Sequence, residues 1–256
     1  MLTIEINGRP AEGVDVHHAV MANYGHYTSM QVRDGAVRGL DLHLARLDQA
    51  SSQLFGQAVD HDRIRAFVRH ALDGVPAASV RVTVVQRPRD PLSTDVLVSV
   101  SDPVDDTPGA ALRVRSTEYE REVAHLKHVA TMGVTYHWRQ AVVAGFDDVL
   151  FVGRDGLVRE GSVWNIAFWD GEQVVWPAAD VLPGVTMQLL QRAGVPWTSR
   201  ELTVADLPGL GAAVATNSHC PSQPLASIDE VGFPADGGAL AEVLNAAWAE
   251  VRWDAV

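Results

Sequence analysis

Nine residues near the middle of the chain form a break that no regular element is expected to cross. The stretch DPVDDTPGA, at positions 102–110, holds two prolines, three aspartates and a glycine, and it shows no apolar period. Proline and glycine interrupt helices and strands, and polar runs of this kind connect domains. The sequence therefore predicts an N-terminal domain over 1–104, a linker over 105–112 and a C-terminal domain over 113–256.

Both halves mix alternating apolar–polar runs, which are typical of strands, with amphipathic helical runs. The run LTIEINGRP predicts a turn at Asn7-Gly8, and HYTSMQVRDGAVRG predicts two strands joined at Asp34-Gly35. A helix follows in LDLHLARLDQASSQLFG, with Asp41 as its predicted cap. The second half carries many short strands, which indicates a barrel-like sheet. The predicted class is α/β (α+β), with a small N-terminal α/β domain and a larger, barrel-like C-terminal α/β domain.

The composition argues against nucleic acid and membranes as binding partners. Apolar residues make up 47% of the chain, enough for a sizeable core, and the net charge of −12 disfavours nucleic acid because its phosphates would be repelled. The single cysteine, Cys220, excludes an internal disulfide framework. No apolar run is long enough to span a membrane, and MLTIEINGRP lacks the features of a signal peptide. We therefore expect a soluble cytoplasmic protein that binds neither nucleic acid nor a membrane.

Common catalytic signatures are missing from the sequence. It has no GxGxxG after a strand, no P-loop, no HExxH and no GxSxG. Histidines are frequent, and His125 and His128 are three residues apart, but no carboxylate supports them at ligand spacing. No metal site is therefore predicted.

Lys127, in the stretch HLKHVATMG, is the only lysine of the chain, and every other permanently charged basic side chain is an arginine. A lysine commonly serves either as a solvated surface charge or, when desolvated, as an amine that forms a Schiff base with a carbonyl. Arginine can replace it in the first use but not in the second, because the guanidinium stays protonated. Both uses remain open from these residues alone.

Four segments around Lys127 form a more specific pattern. HLARL lies upstream in a predicted helix; downstream, a strand–turn–strand ends in Glu160-Gly161, the strand NIAFW follows, and LPGVT precedes a helix. In this order and spacing they resemble the class IV aminotransferases, the fold-type IV enzymes that use pyridoxal 5′-phosphate. That family includes branched-chain and D-amino-acid aminotransferases, R-selective amine transaminases and 4-amino-4-deoxychorismate lyase. The resemblance spans about Tyr24 to Asp229 and implies a two-domain fold-type IV enzyme.

The resemblance implies catalytic roles for two residues. Lys127 matches the lysine that forms the Schiff base with the cofactor and moves the proton as general acid and base. Glu160, in VREGS, matches the carboxylate that keeps the pyridine nitrogen protonated and so strengthens the ring as an electron sink. The sequence around Glu160, RDGLVREG, would also allow an exposed turn carboxylate.

The resemblance also implies a phosphate site. Arg46 of HLARL would bind the phosphate through its forked guanidinium, although it could instead lie on a solvated helix face. Val185 and Thr186 would meet the phosphate at the start of a helix, where free N–H groups favour anions, and Ser218 of ATNSH would add a hydroxyl.

The candidates for substrate binding are Tyr27, Arg87, Arg89, Asn217 and His219. Arg87 and Arg89 stand in the turn RPRDP, near the position where D-amino-acid members bind a carboxylate. A polar hairpin turn with solvated arginines is an equally good interpretation of that segment.

These matches predict an aminotransferase that moves an amino group between an amino acid or amine and a keto acid or ketone through Lys127. Met132 stands where branched-chain members carry a tyrosine, five residues after the lysine, which disfavours that branch. Two alternatives stay open: a lyase of the 4-amino-4-deoxychorismate type, and a catalytically degenerate protein that only binds pyridoxal phosphate. The resemblance further implies a homodimer whose partners are a small-molecule amino donor and a keto acceptor.

Overall fold

A computed structural model describes residues 2–21, 23–87 and 90–256. The chain forms two compact units, and it passes between them more than once. The first unit comprises Met1–Val104, Leu126–Ala130 and Arg252–Val256, and the second comprises Asp105–His125 and Thr131–Val251. The five residues around Lys127 therefore belong to the first unit, although their neighbours on both sides belong to the second. The continuous ranges predicted from the sequence, 1–104 and 113–256, do not include these returns.

The first unit is built on a seven-stranded sheet with the strand order β16-β4-β3-β5-β6-β1-β2. All its strand pairs are antiparallel. Its elements are β1 (Thr3–Ile6), β2 (Arg9–Pro10), α1 (Gly13–Met21), β3 (Gly25–Arg33), β4 (Ala36–Arg38), α2 (Leu40–Phe55), α3 (His61–Leu72), β5 (Ala77–Arg87), β6 (Asp90–Ser101) and β16 (Trp253–Ala255).

The core of the first unit follows directly from the alternation of its strands. Every second residue of β3 and β5 is buried, and these side chains pack against apolar residues of α2 and α3. Burial of this surface is the main force that holds the helices on the sheet. The opposite face of β3 and β5 carries polar side chains, including those of Tyr27 and Arg81.

The turns that join the first strands adopt the predicted geometry. Asn7 and Gly8, and likewise Asp34 and Gly35, have positive φ angles, as tight hairpin turns require. The predicted cap of α2 is wrong. The helix begins at Leu40 after Gly39, whose φ of 69° is left-handed, and Asp41 lies within its first turn.

The second unit is built on a nine-stranded sheet. Because β9 pairs with both β8 and β10, six strands close into a ring in the order β10-β13-β14-β7-β8-β9. Closure leaves these strands without open edges, and the barrel-like sheet predicted for this half is confirmed. Its elements are β7 (Leu112–Glu118), α4 (Met132–Val143), β8 (Asp148–Val152), β9 (Val158–Gly161), β10 (Asn165–Trp169), β11 (Val174–Pro177), α5 (Val185–Arg192), β12 (Trp197–Arg200), a 3-10 helix (Val204–Gly209), β13 (Ala212–Thr216), β14 (Gln223–Ile228), β15 (Val231–Gly232) and α6 (Gly238–Ala249).

The helices of both units are short. No helix among the described residues is both long enough and apolar enough to cross a lipid bilayer.

Candidate active site

The backbone around Lys127 is held by the edge of β3. The Tyr27 amide donates to the Lys127 carbonyl over 2.8 Å, and the Val129 amide donates to the Gly25 carbonyl over 3.0 Å. The two segments run antiparallel. These two bonds hold the Lys127 backbone against the edge of the sheet of the first unit, and they restrict where its side chain can reach.

The Lys127 amine shares an aromatic ring with a second cation. Its Nζ lies 5.0 Å from the centre of the Tyr27 ring, and the Cζ of Arg81 lies 3.5 Å from the same centre. The face of an aromatic ring attracts cations, so this contact is favourable for both groups. Lys127 is half-buried, and partial burial lowers the pKa of Arg81 from its usual value. Tyr27 thus brings an amine and a guanidinium to one small region of the first unit.

Arg81 is not among the residues predicted from the sequence. It lies on β5 opposite Ser29 of β3, and its Nε donates to Thr83 Oγ1 over 3.2 Å. The alternation in SVRVTVVQ indicates that Arg81 points away from the apolar core. Only the register between β3 and β5, which local sequence does not specify, shows that it shares a face with Tyr27.

The arginines predicted for the substrate carboxylate have a different setting. Arg87 is exposed, and its Nε and Nη2 donate to Asp95 Oδ1 over 3.0 and 2.8 Å. The hydrogen bond to Asp95 raises the pKa of Arg87. Arg89 lies outside the described residues. A substrate carboxylate at Arg87 would have to compete with one that the protein already supplies.

Two buried histidine–hydroxyl pairs join β3 to α2. His43 Nδ1 of α2 lies 2.6 Å from Thr28 Oγ1 of β3, and His26 Nε2 of β3 lies 2.8 Å from Ser51 Oγ of α2. Burial is the main reason that the pKa of His43 is lowered to about 3, and burial lowers the pKa of His26 to about 4. Both imidazoles are therefore neutral near pH 7.

These neutral histidines predict a loss of stability in mild acid. As the pH falls through about 6.5, the unfolded chain takes up a proton at each imidazole; folded His26 and His43 stay neutral until about pH 4 and 3. The free energy of unfolding, measured with urea, should therefore fall by about 2 kcal/mol per histidine between about pH 7 and pH 5. His43→Gln should make this decline shallower, and an equally steep decline in that variant would contradict the assignment.

Arg46, the predicted phosphate ligand of the first unit, lies on α2 one turn after His43 and is half-buried. The charges of Arg46 and Lys127 both help to lower the pKa of His43. The two cations therefore lie close enough to the same buried imidazole for each to act on it electrostatically. The first unit thus contains both the predicted Schiff-base amine and the predicted phosphate-binding guanidinium, and the charges of both act on one imidazole.

Glu160, in the second unit, is buried in β9 with its carboxylate fixed by two donors. Its Oε1 accepts from Arg121 Nη1 over 3.0 Å, and its Oε2 accepts from the Leu182 amide over 3.1 Å. Glu160 is 6% exposed, so the alternative of an exposed turn carboxylate is wrong. Arg121 Nη1 also donates to the Ala124 carbonyl over 3.1 Å, which fixes the guanidinium in turn. Sequence reasoning missed Arg121, because nothing in EYEREV marks which arginine will meet Glu160.

Asn165 completes a clamp on the LPG segment. It lies directly opposite Glu160 in the β9–β10 pair, and its Nδ2 donates to the Leu182 carbonyl over 2.8 Å. Glu160 therefore binds the N–H of Leu182 while Asn165 binds its C=O. The two cross-strand neighbours together fix the residue that leads into α5.

The clamp depends on a glycine at position 184. A methyl group added to Gly184 would collide with Oδ1 of Asn165, so Gly184→Ala should displace the Asn165 amide from Leu182. We expect the free energy of unfolding to fall by about 1–3 kcal/mol, the usual cost of overpacking, as measured by urea denaturation. Gly232→Ala is the matched control, because an added methyl meets open space there; equal effects in both variants would contradict the clamp.

The predicted phosphate residues of the second unit come together at the start of α5. Val185 and Thr186 are buried there, and Thr186 Oγ1 donates to the Asn217 carbonyl over 2.8 Å. This bond ties the helix start to the turn that contains Ser218, which is half-buried. Gly184 has no side chain to cap the helix, and the first N–H groups of any α-helix have no acceptor within the helix. Such a helix start favours an anion.

Asn217 shapes the turn that follows β13. Its Oδ1 accepts from the amides of His219 and Cys220 over 2.8 and 3.1 Å. Its amide oxygen is therefore used within the turn, while the His219 side chain is exposed. These contacts define the local shape of the loop that carries Ser218.

Comparison with known proteins identifies the family. A family model described as amino-transferase class IV matches residues 25–228, most of the chain. The chain belongs to the class IV aminotransferase family. The resemblance inferred from the sequence motifs is thereby confirmed. No curated protein matches the sequence significantly.

Solved structures of class IV aminotransferases share the fold. A fold IV transaminase, CpuTA1 from Curtobacterium pusillum, is 20% identical with a TM-score of 0.81, over 96% of this chain and 98% of that one. A hypothetical aminotransferase from Mycobacterium tuberculosis in a PLP-bound form is 22% identical with a TM-score of 0.80, over 98% and 100% of the two chains. A protein from Legionella pneumophila assigned as a 4-amino-4-deoxychorismate lyase is 18% identical with a TM-score of 0.77, over 94% and 95%. The predicted fold-type IV architecture is therefore confirmed.

Class IV aminotransferases use pyridoxal 5′-phosphate, and the donor sets of both units suit this group. The first unit offers the Lys127 amine for an aldehyde and the Arg46 guanidinium for a phosphate. In the second unit, the buried Glu160 carboxylate is a hydrogen-bond acceptor, the type of group that pairs with a protonated pyridine nitrogen. The start of α5 supplies backbone donors for a phosphate. Each unit therefore carries groups of the types that this cofactor binds.

Proposed function

We propose that this protein is a pyridoxal-phosphate-dependent aminotransferase in which Lys127 attaches the cofactor and moves the proton. The observation that carries the proposal is the setting of the sole lysine. Its backbone is bonded to β3, its side chain is half-buried, and its amine lies over the Tyr27 ring. A solvated surface lysine would have no need of these contacts.

Each remaining residue has a role that its contacts support. When bound, the cofactor supplies an electron sink for the negative charge that develops at the substrate Cα. Lys127 Nζ takes the proton from that carbon as a general base and returns it as a general acid. Glu160, oriented by Arg121 and by the Leu182 amide, keeps a proton on the pyridine nitrogen.

The phosphate contacts come from Arg46, from the backbone at Val185 and Thr186, and from Ser218. The hydroxyl of Thr186 already donates to the Asn217 carbonyl, so we assign the Thr186 contact to its amide. A guanidinium and helix-start amides are the donors that a phosphate prefers.

For the substrate we propose an amino acid and a keto acid, because a second cation contacts the same ring as the Lys127 amine. Arg81 stacks on the Tyr27 ring that Lys127 also contacts, which suits it to a substrate carboxylate better than Arg87, whose guanidinium binds Asp95. Asn217 and His219 remain candidates for further substrate contacts.

The proposal is tested by half-reactions. The holoprotein is mixed with one amino donor at a time, D- and L-alanine, D- and L-glutamate and both enantiomers of 1-phenylethylamine, without any acceptor. Pyridoxamine phosphate and one keto product should then accumulate, and mass spectrometry should detect both. Formation of p-aminobenzoate from 4-amino-4-deoxychorismate, with no conversion of any donor, would replace the aminotransferase by the lyase. Cofactor uptake with no reaction of either kind would indicate the degenerate binder.

We also propose that the protein acts as a homodimer, as its family resemblance implies. Sedimentation equilibrium of the holoprotein should give twice the mass of the chain. A monomer with full activity would contradict this proposal without affecting the cofactor assignment.

A further inference from the structure

We propose that the Thr28–His43 pair is a positioning contact that sets the Arg46 guanidinium relative to the Lys127 amine, and thereby makes cofactor binding depend on the phosphate group. This inference rests on the proposed function, because it assigns Arg46 and Lys127 to one cofactor. All the residues that carry it belong to the first unit.

The amine is positioned from β3. Lys127 is bonded through its carbonyl to the Tyr27 amide, so its backbone moves with that strand. Thr28 follows Tyr27 in β3. Its side chain points to the face of the sheet opposite to that of Tyr27, because side chains alternate along a strand. Thr28 is completely buried. In β3, Tyr27 thus bonds the Lys127 backbone, and the next residue, Thr28, carries a buried hydroxyl.

The guanidinium is positioned from α2. His43 and Arg46 are three residues apart, which puts them on neighbouring positions of one helix face. His43 is 2% exposed, and its Nδ1 lies 2.6 Å from Thr28 Oγ1. His43 thus bonds a β3 side chain one turn before Arg46, so Arg46 follows any shift of this turn along the strand.

The electrostatics agree with this arrangement. Lys127 and Arg46 both lower the pKa of His43, so both cations act on the imidazole electrostatically. The ring bonds Thr28 without adding a third positive charge, because burial already keeps it neutral. A neutral ring repels neither of these cations, whereas a charged imidazolium would repel both.

The test compares pyridoxal phosphate with pyridoxal, which carries the same aldehyde but no phosphate. Thr28→Val keeps the shape of the side chain and removes the hydroxyl. We expect its dissociation constant for pyridoxal phosphate to rise about tenfold, while that for pyridoxal changes by less than about twofold. Binding is followed by the absorbance of the protein-bound cofactor, and urea unfolding of the cofactor-free protein confirms that each variant is folded.

Three further variants separate positioning from general destabilisation. Thr28→Ser restores a hydroxyl and should restore the wild-type ratio of the two dissociation constants. Ser51→Ala breaks the other histidine–hydroxyl pair between the same two elements, and its ratio should stay within about twofold of wild type. In an Arg46→Ala background, Thr28→Val should have no further effect on pyridoxal phosphate binding, because the contact acts through Arg46.

Several results would overturn the inference alone: an unchanged affinity of Thr28→Val for pyridoxal phosphate, an equal loss for both ligands, or the same change of ratio in Ser51→Ala. Full additivity of Thr28→Val and Arg46→Ala would do so as well. A wild-type protein that binds neither ligand would instead remove the proposed function, and this inference with it.

Discussion

Replacing Lys127 with arginine is expected to abolish turnover, with a loss of at least about a thousandfold. Arginine retains a positive charge that can still lie over the Tyr27 ring, where Lys127 Nζ is found. It cannot attach an aldehyde or accept a proton, because the guanidinium stays protonated. Steady-state rates with the best donor from the half-reaction panel measure the loss.

The same variant tests the attachment site without relying on activity. Borohydride reduction of the wild-type holoprotein, followed by peptide mapping, should place the pyridoxyl label on the peptide that contains Lys127. Lys127→Arg should give no label, and Lys127→Ala should regain part of its turnover when a small amine such as methylamine is added. Normal rates in Lys127→Arg, or a label on another peptide, would defeat the assignment.

Replacing Glu160 with glutamine is expected to lower turnover by roughly a hundredfold or more, although the cofactor still binds. A neutral amide no longer favours the protonated pyridine nitrogen. It also removes the negative charge that pairs with the buried Arg121 guanidinium, whose side chain is only 9% exposed. Breaking a buried ion pair in this way costs about 3 kcal/mol of unfolding free energy, which urea denaturation measures.

A second substitution separates these two effects. In the double variant Glu160→Gln with Arg121→Met, both charges of this ion pair are removed together, so most of the lost stability should return. Turnover should stay low, because the carboxylate is still missing. If the stable double variant recovered the wild-type rate, Glu160 would have no role beyond pairing with Arg121.

The parts of the site that were predictable from sequence are those encoded in short local patterns. VREGS and LPGVT each combine a turn with a neighbouring strand or helix, so the residues proposed for the chemistry lie within a few positions of their markers. The strand alternation and the tight turns at Asn7-Gly8 and Asp34-Gly35 were predictable for the same reason.

The residues that sequence reasoning missed make contacts with residues that are far away in the sequence. Arg121 and Glu160 are 39 positions apart, and Arg81 shares the face of Tyr27 only through strand register. Such contacts are set by tertiary packing and not by local preference. At Asp41 a local pattern was misleading. Aspartate is a good capping residue, but α2 begins at Leu40, after the left-handed Gly39, so that Asp41 lies inside the helix.

The return of residues 126–130 to the first unit affects any attempt to dissect this protein. A fragment cut at the 102–110 break would keep β3 but lose the segment that bonds Gly25 and Tyr27, as well as β16, which covers β4. Exposed strand edges of this kind recruit other chains. The fragment should therefore be prone to aggregation through these edges, and the segment that carries the proposed catalytic lysine would be part of what protects the sheet.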